Sequence, residues 1–428
     1  MVAPRFVKIF SIAVIVTFLL SSAESAKNTT ETNCPKTLST SSLSDDKADK
    51  FIVVYKSQDD ANKLNNMFKD CLNADIGNSD SIKSLSSKKN SFVSFALKEF
   101  NGLIGNMPKS FVSELEKMDG VAYVEKDGVV KTQYAIPSHF TKRTTDNKPT
   151  PNDDRIDQAK FPLDGKYTFP DSAGQGVNIF VVDTGIRTTH SEFEGRAKFG
   201  GSFCDGCNDQ DENGHGTHVS SIAAGKTLGV ARKANLIAVR VLDKNGSGSN
   251  SGVIAGLNFV LDQHNKGKNK NSVVNMSLGG AFSQAVNDAV KQLTSAGVHV
   301  AVAAGNDGAD ACKSSPSSEL SAITVGATEN TSDQITDFSN VGKCLDIFAP
   351  GRNIQGAGIK NDNDGAVFSG TSQATPHVAG TVALIIAKSG NASPAAMAQQ
   401  LNSLSTKGVV KGIGNSGSPD SFVRVPAP

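Results

Sequence analysis

From about residue 155 the chain repeats one pattern: a short, unbroken apolar run rich in β-branched residues, then a stretch with helical periodicity. The runs are 177–182, 236–242, 272–276 and 298–303, and the helical patterns include 252–264 and 284–296. A strand that is apolar at every residue has no face to give to water, so both its faces must be covered. Alternation with helices then predicts an α/β fold, a mainly parallel sheet flanked by helices. In such sheets functional residues gather at the carboxyl ends of the strands.

The N-terminal third reads differently. Residues 51–55 form a candidate strand, 59–71 a helix, 91–97 an alternating strand, 108–118 a helix with proline in its first turn, and 121–125 a last strand. This β-α-β-α-β order predicts a small α+β unit of the ferredoxin-like kind over residues 51–130. Residues 136–154 are polar, carry Pro137, Pro149 and Pro151, and read as an exposed linker. Ahead of the small unit, a Ser/Thr/Lys-rich stretch to about residue 50 reads as flexible.

The first 25 residues give an address. Arg5 and Lys8 precede the apolar run 9–20, and Ser21, Ser22 and Ala23 follow it. That is the layout of a signal peptide cleaved near 23–26, and the run is shorter than the roughly 20 residues a membrane span needs. The chain is therefore expected to be secreted and extracellular, with no membrane partner. A net charge of +1 gives no reason to expect nucleic acid. Six cysteines suit export, and their spacing suggests Cys34–Cys71, Cys204–Cys207 and Cys312–Cys344, although six allow 15 pairings. Cys204 and Cys207 could also be half of a zinc site or a redox pair, but no second Cys-x-x-Cys accompanies them. Sequons stand at Asn28, Asn245, Asn275, Asn330 and Asn391, of which Asn275 is expected to be buried.

Three motifs carry the chemistry. Asp183 ends the first apolar run and precedes Thr184-Gly185; alone it could be a turn or cap residue. His215 lies in Asn213-Gly214-His215-Gly216-Thr217-His218, without the His-Glu-x-x-His of a zinc peptidase. Ser372 lies in Gly370-Thr371-Ser372-Gln373-Ala374-Thr375-Pro376-His377, at the start of an apolar helix where it could serve only as an N-terminal helix residue. Taken together in the order Asp, His, Ser, they match the order of the subtilisin triad. An α/β-hydrolase elbow needs glycine two residues after the serine, and Ala374 stands there.

The blocks around Asp183, His215 and Ser372 resemble the subtilase family, most closely its proteinase K-like branch, and residues 51–130 resemble that family's inhibitory propeptide. The resemblance implies a serine endopeptidase working through an acyl-enzyme and made as a self-cleaving zymogen. A signal peptide would span 1–25, a propeptide 26–140 and the catalytic domain 141–428. His215 would take the Ser372 proton, Asp183 would orient the imidazole, and Asn306 with the Ser372 N–H would hold the oxyanion. Gly246-Ser247-Gly248 and Ser277-Leu278-Gly279 would hold substrate as an added strand. The second of these segments, with 303–305, would wall an apolar pocket for the residue before the scissile bond, with no acidic residue to select Lys or Arg. Catalysis would need no cofactor, while the Leu320 and Ala322 carbonyls and the Asp346 carboxylate would bind a structural calcium. Partners would be protein and peptide substrates and the chain's own propeptide, as intramolecular inhibitor and folding aid, around a monomer.

Two departures stand out: Gln373 replaces the methionine usual after the nucleophile, and Asn250 stands where relatives often carry an aromatic lid. The competing reading is a catalytically silent secreted binding protein on the same scaffold; loss of a triad residue or of Asn306 would favour it, and all four are present. A kexin-like processing enzyme is disfavoured by the missing acidic pocket.

Overall fold

The computed structural model describes residues 48–75, 92–138 and 149–428. The expected signal segment, Cys34, Asn28 and part of the proline-bearing linker lie outside them. In the small unit the strands Asp49–Tyr55, Val93–Leu97, Phe100–Met107 and Val121–Lys126 form an antiparallel sheet, in the order second, third, first, fourth, with helices Gln58–Asp75 and Lys109–Leu115. The ferredoxin-like expectation holds, but the strand Phe100–Met107 was missing from it. Its two glycines weaken the strand pattern in sequence, and packing demands them. A Cβ at Gly102 would run into the Phe95 ring, and one at Gly105 into Phe92.

The sheet of this unit is buried on both faces. Phe51, Val53 and Tyr55 pack with Leu64, Phe68 and Met107 on its helical side. Ile52 and Val54 point the other way and join Leu97, Phe100 and Ile104 in one core with Val253, Leu257, Val286 and Val290 of the large unit. Each such side chain contributes about 1.5–3 kcal/mol on burial, so the two units share a core.

The large unit is built on a nine-stranded sheet. Its order runs Ala197–Ser202, Asn235–Arg240, Asn178–Asp183, Ser272–Met276, His299–Ala303, Ile323–Thr328, Ile347–Pro350, Ser421–Phe422 and Thr406–Lys407, parallel except for the last pair. The unbroken apolar runs are explained residue by residue. Ile179 and Val181 face a core with helices His215–Ala224 and Thr371–Ser389, while Phe180 and Val182 face one with helices Asn250–Lys266 and Gln284–Ser295.

The linker expectation needs correcting at its end. Residues Pro151–Asp157 form a helix capped by Thr150, whose hydroxyl accepts from the Asp153 N–H at 3.3 Å. Arg155 is buried there, paired with Asp333 through two hydrogen bonds of 2.7 and 2.8 Å. The polar composition had looked like solvent-facing chain, but these groups are paired inside. Disulfides join Cys204–Cys207 and Cys312–Cys344, as spacing suggested. Asn275 is fully buried, as expected for that sequon.

Candidate active site

Asp183 is the last residue of its strand, and His215 is the first of its helix. The His215 Nδ1 meets Asp183 Oδ1 at 2.8 Å, and both side chains are fully buried. Gly216 lets the helix start this close, because a Cβ there would collide with the Gly185 carbonyl. His215 Nε2 has no hydrogen-bond partner. His218, one turn on, is no second metal ligand: its Nε2 lies 3.1 Å from the Ile354 carbonyl and 3.3 Å from that of Ala366. Burial, helped by the neighbouring His215, pushes His218 down to about 3, and burial pushes His377 down to about 4. Both stay neutral at ordinary pH.

Asp211 ties the two loops together. Its carboxylate accepts from the Thr184 hydroxyl (2.9 Å), the N–H groups of Asn213 (3.1 Å), Gly214 (2.8 Å) and Thr217 (2.9 Å), and the Thr217 hydroxyl (2.6 Å). It satisfies N–H groups at the start of the His215 helix while holding the residue next to Asp183. Sequence reasoning passed over it. The available signal was an acidic residue in the loop just ahead of the His215 helix, whose own N-cap position holds glycine.

Ser372 is the second residue of the helix Thr371–Ser389. Its hydroxyl donates to the Ser277 carbonyl at 2.8 Å rather than to His215. Asn306 accepts from the Thr371 N–H and hydroxyl, each at 2.9 Å, which leaves its buried Nδ2 unpartnered.

The cleft is filled by the chain itself. Residues Val129–Thr132 run antiparallel between Ser247–Ser249 and Leu278–Ala281, completing a sheet. The Thr132 N–H donates to the Gly246 carbonyl (3.0 Å), the Gln133 N–H to the Ser277 carbonyl (3.3 Å), and the Ser372 N–H to the Gln133 carbonyl (3.0 Å). Gly370 makes that last approach possible, since any Cβ there would strike the Gln133 oxygen. The two glycine-bearing segments bracket this strand of the prosegment. Leu278 departs from its expected place as a pocket wall: its side chain is buried in the core and it offers backbone alone.

The Gln133 side chain enters a pocket lined by Gly279, Gly280, Ala303, Ala304, Gly305, Asp307, Ser314 and Ser317. Asp307, an exposed acidic residue on this lining, was not among the residues singled out in the sequence. It follows Asn306 in a loop held by Asn340, whose Oδ1 accepts from the Asp307 N–H at 3.0 Å, and no strand pattern places it. Two prosegment carboxylates dock the small unit. Asp127 accepts from the Ser251 N–H (2.9 Å) and hydroxyl (2.6 Å), and Glu125 from the Ser283 hydroxyl and the Ala285 N–H (3.2 Å). Each anion sits at the N-terminus of a large-unit helix, where the helix dipole favours negative charge.

A strand lodged in the cleft with its carbonyl on the N–H of a buried serine, and a carboxylate–imidazole pair formed where a strand end meets a helix start, define a serine endopeptidase held by its own prosegment. The chain belongs to the subtilase family, whose pattern it matches over residues 174–417, and it matches the peptidase inhibitor I9 family over 14–133. It is 49% identical over 300 residues to subtilisin-like protease 2 of Pseudogymnoascus destructans, covering 70% of this chain and 72% of that protein. It is 39% identical to the cuticle-degrading protease of Metarhizium anisopliae (86% and 87% covered) and 45% to an extracellular serine proteinase of Thermus sp. (76% and 75%). A crystal structure of a cold-adapted subtilisin-like serine proteinase superposes with a TM-score of 0.61 at 41% identity, over 66% of this chain and all of that one.

Asp211→Asn gives the first prediction. An amide cannot accept at both positions, so one side of the bracket opens and the imidazole drifts. The turnover number should fall about 10–100-fold with little change in KM, as read from steady-state hydrolysis of a peptide substrate. A rise in KM alone would place Asp211 with substrate binding.

Proposed function

We propose that Asp183, His215 and Ser372 hydrolyse peptide bonds, and that the first bond cut is Gln133–Tyr134 of the chain itself. The observation that carries this reading is the hydrogen bond from the Ser372 N–H to the Gln133 carbonyl, made beside the Asp183–His215 pair. Rotation of the Ser372 hydroxyl away from Ser277 brings Oγ to the Gln133 carbonyl carbon while His215 Nε2 takes its proton. The carbonyl oxygen becomes an oxyanion between the Ser372 N–H and Asn306 Nδ2. Collapse expels the Tyr134 amine, protonated by His215, and water then releases the acyl group by the same route in reverse.

The propeptide boundary then moves from residue 140 to 133, where the inhibitor-family match also ends. After the cut, Val129–Gln133 stays in the cleft as an inhibitor held by main-chain pairing. The pocket is walled largely by glycine and alanine, which favours apolar side chains of moderate size. Gln133 is accepted because its amide donates to the carbonyls of Gly279 (3.2 Å) and Lys131 (3.4 Å). Substrates are proteins and peptides of broad sequence. Secretion rests on the signal-like N-terminus and on relatives named extracellular and cuticle-degrading. Among the described residues no helix is long and apolar enough to cross a membrane. Purified precursor incubated alone should yield a mature chain beginning at Tyr134 that hydrolyses casein. A new N-terminus elsewhere would overturn the bond assignment, and absence of caseinolysis would overturn the function.

The calcium expectation becomes part of this proposal. One carboxylate and two carbonyls are hard donors that suit Ca²⁺, and Asp346 Oδ2 already accepts from the Thr324 N–H at 2.8 Å. Among the described residues no group of three or more His, Cys, Asp or Glu side chains could hold a metal, so carbonyls and water would complete the shell. Burial pushes the Asp346 carboxyl up to about 6. A proton and Ca²⁺ compete for this carboxylate, so the stabilisation by Ca²⁺ should be present at pH 8, where it is ionised, and fade as pH falls through its raised pKa. Thermal melting with calcium and with chelator should differ by several degrees at pH 8 and converge at pH 5. Identical melting curves at pH 8 would reject the site.

A further inference from the structure

We propose that Phe368 and His215 form an aromatic subsite for the first residue after the scissile bond, so that the enzyme prefers peptides with a planar side chain there. The inference rests on the functional reading above and extends it to the leaving-group side. The Tyr134 ring lies stacked against both partners, 5.2 Å from the His215 imidazole at 28° and 5.5 Å from the Phe368 ring at 19°.

The subsite is built and does not depend on the tyrosine alone. Phe368 is itself stacked on His218, at 4.4 Å and 22°. His215 and His218 are three residues apart on one helix, so they lie on the same face. His218 is fixed by the two carbonyls it bonds, and Gly356 gives it room, since a Cβ there would sit 2.5 Å from the ring. Phe368 belongs to the strand Gly365–Ser369, which pairs with Ile354–Ala357 on one side and, on the other, with the strand Ala135–Ser138, which follows the proposed cut. That second pairing shows how a peptide would run beyond the cut, as an added edge strand with its first side chain against the two rings. An aromatic pair of this geometry adds affinity beyond its buried area, and an aliphatic side chain of equal size lacks that increment.

The test uses mature enzyme and quenched peptides identical except at the residue after the cut, which is Tyr, Phe, Leu or Ala. We expect kcat/KM for Tyr and Phe to exceed that for Leu by about three- to tenfold, the factor that a stacking pair supplies. The Tyr-to-Leu ratio should drop below about twofold in Phe368→Leu and persist in Phe368→Tyr. Because the readout is a ratio within one protein, a general loss of activity in a variant does not disturb it. A wild-type ratio near one, or a ratio undiminished in Phe368→Leu, would overturn the proposal. If mature enzyme cleaved none of the peptides, the functional reading itself would fall.

Discussion

Ser372→Ala is expected to abolish turnover and to leave the protein as an uncut precursor. The change removes only the hydroxyl. The backbone N–H that meets the Gln133 carbonyl remains, as do the strand pairings that hold Val129–Thr132 in the cleft. What is lost structurally is one buried hydrogen bond to Ser277, of about 1 kcal/mol, against a core shared by both units. Without the nucleophile His215 has no proton to accept, and turnover should fall by about 10⁶-fold, a scale taken from subtilisin, a member of this family. The check is the mass of the purified variant beside wild type. The variant should keep its prosegment covalently attached, whereas wild type should divide into two chains. Normal division of the variant in a host without other proteases would assign activation to a second enzyme, with Lys142-Arg143 as the dibasic candidate.

Asn306→Ala should lower kcat by roughly 10²–10³ with KM little changed, equivalent to about 2.7–4 kcal/mol and again a magnitude known from subtilisin. The geometry says why the loss falls on the transition state. Asn306 spends its carbonyl on the N–H and hydroxyl of Thr371, so the amide cannot turn, and its Nδ2 stays unpartnered while Gln133 is bound. A donor held in reserve from the ground state costs nothing to reorganise when charge develops. Steady-state rates on one peptide separate the outcomes: a loss confined to KM would make Asn306 a ground-state binding residue.

The buried sheet was legible because its central strands are apolar on both faces, a pattern that solvent-facing strands do not show. The Asp183, His215 and Ser372 blocks were legible because together, in that order, they resemble the subtilase motifs, whereas each alone could be a turn, cap or helix-end residue. The strand Phe100–Met107 was not, since its glycines answer to aromatic rings lying across them in space. Asp307 and Asp211 escaped for a related reason: loop residues carry no periodicity, and their roles depend on which neighbours fold beside them. The helix Pro151–Asp157 was hidden by its own polarity, which is satisfied internally by Asp333, Thr150 and His377. The proposed cut at Gln133–Tyr134 rests on three main-chain bonds, which no sequence pattern marks.

The most direct test of the catalytic account is covalent labelling of the mature enzyme with a serine-directed sulfonyl fluoride, followed by peptide mapping. The reagent needs an activated hydroxyl, so it reads the joint action of Asp183, His215 and Ser372 and not the presence of serine alone. One label per molecule, on Ser372, with caseinolysis lost in proportion and no labelling of His215→Ala, is the predicted result. Labelling of another serine, or full caseinolysis in protein fully labelled at Ser372, would contradict it.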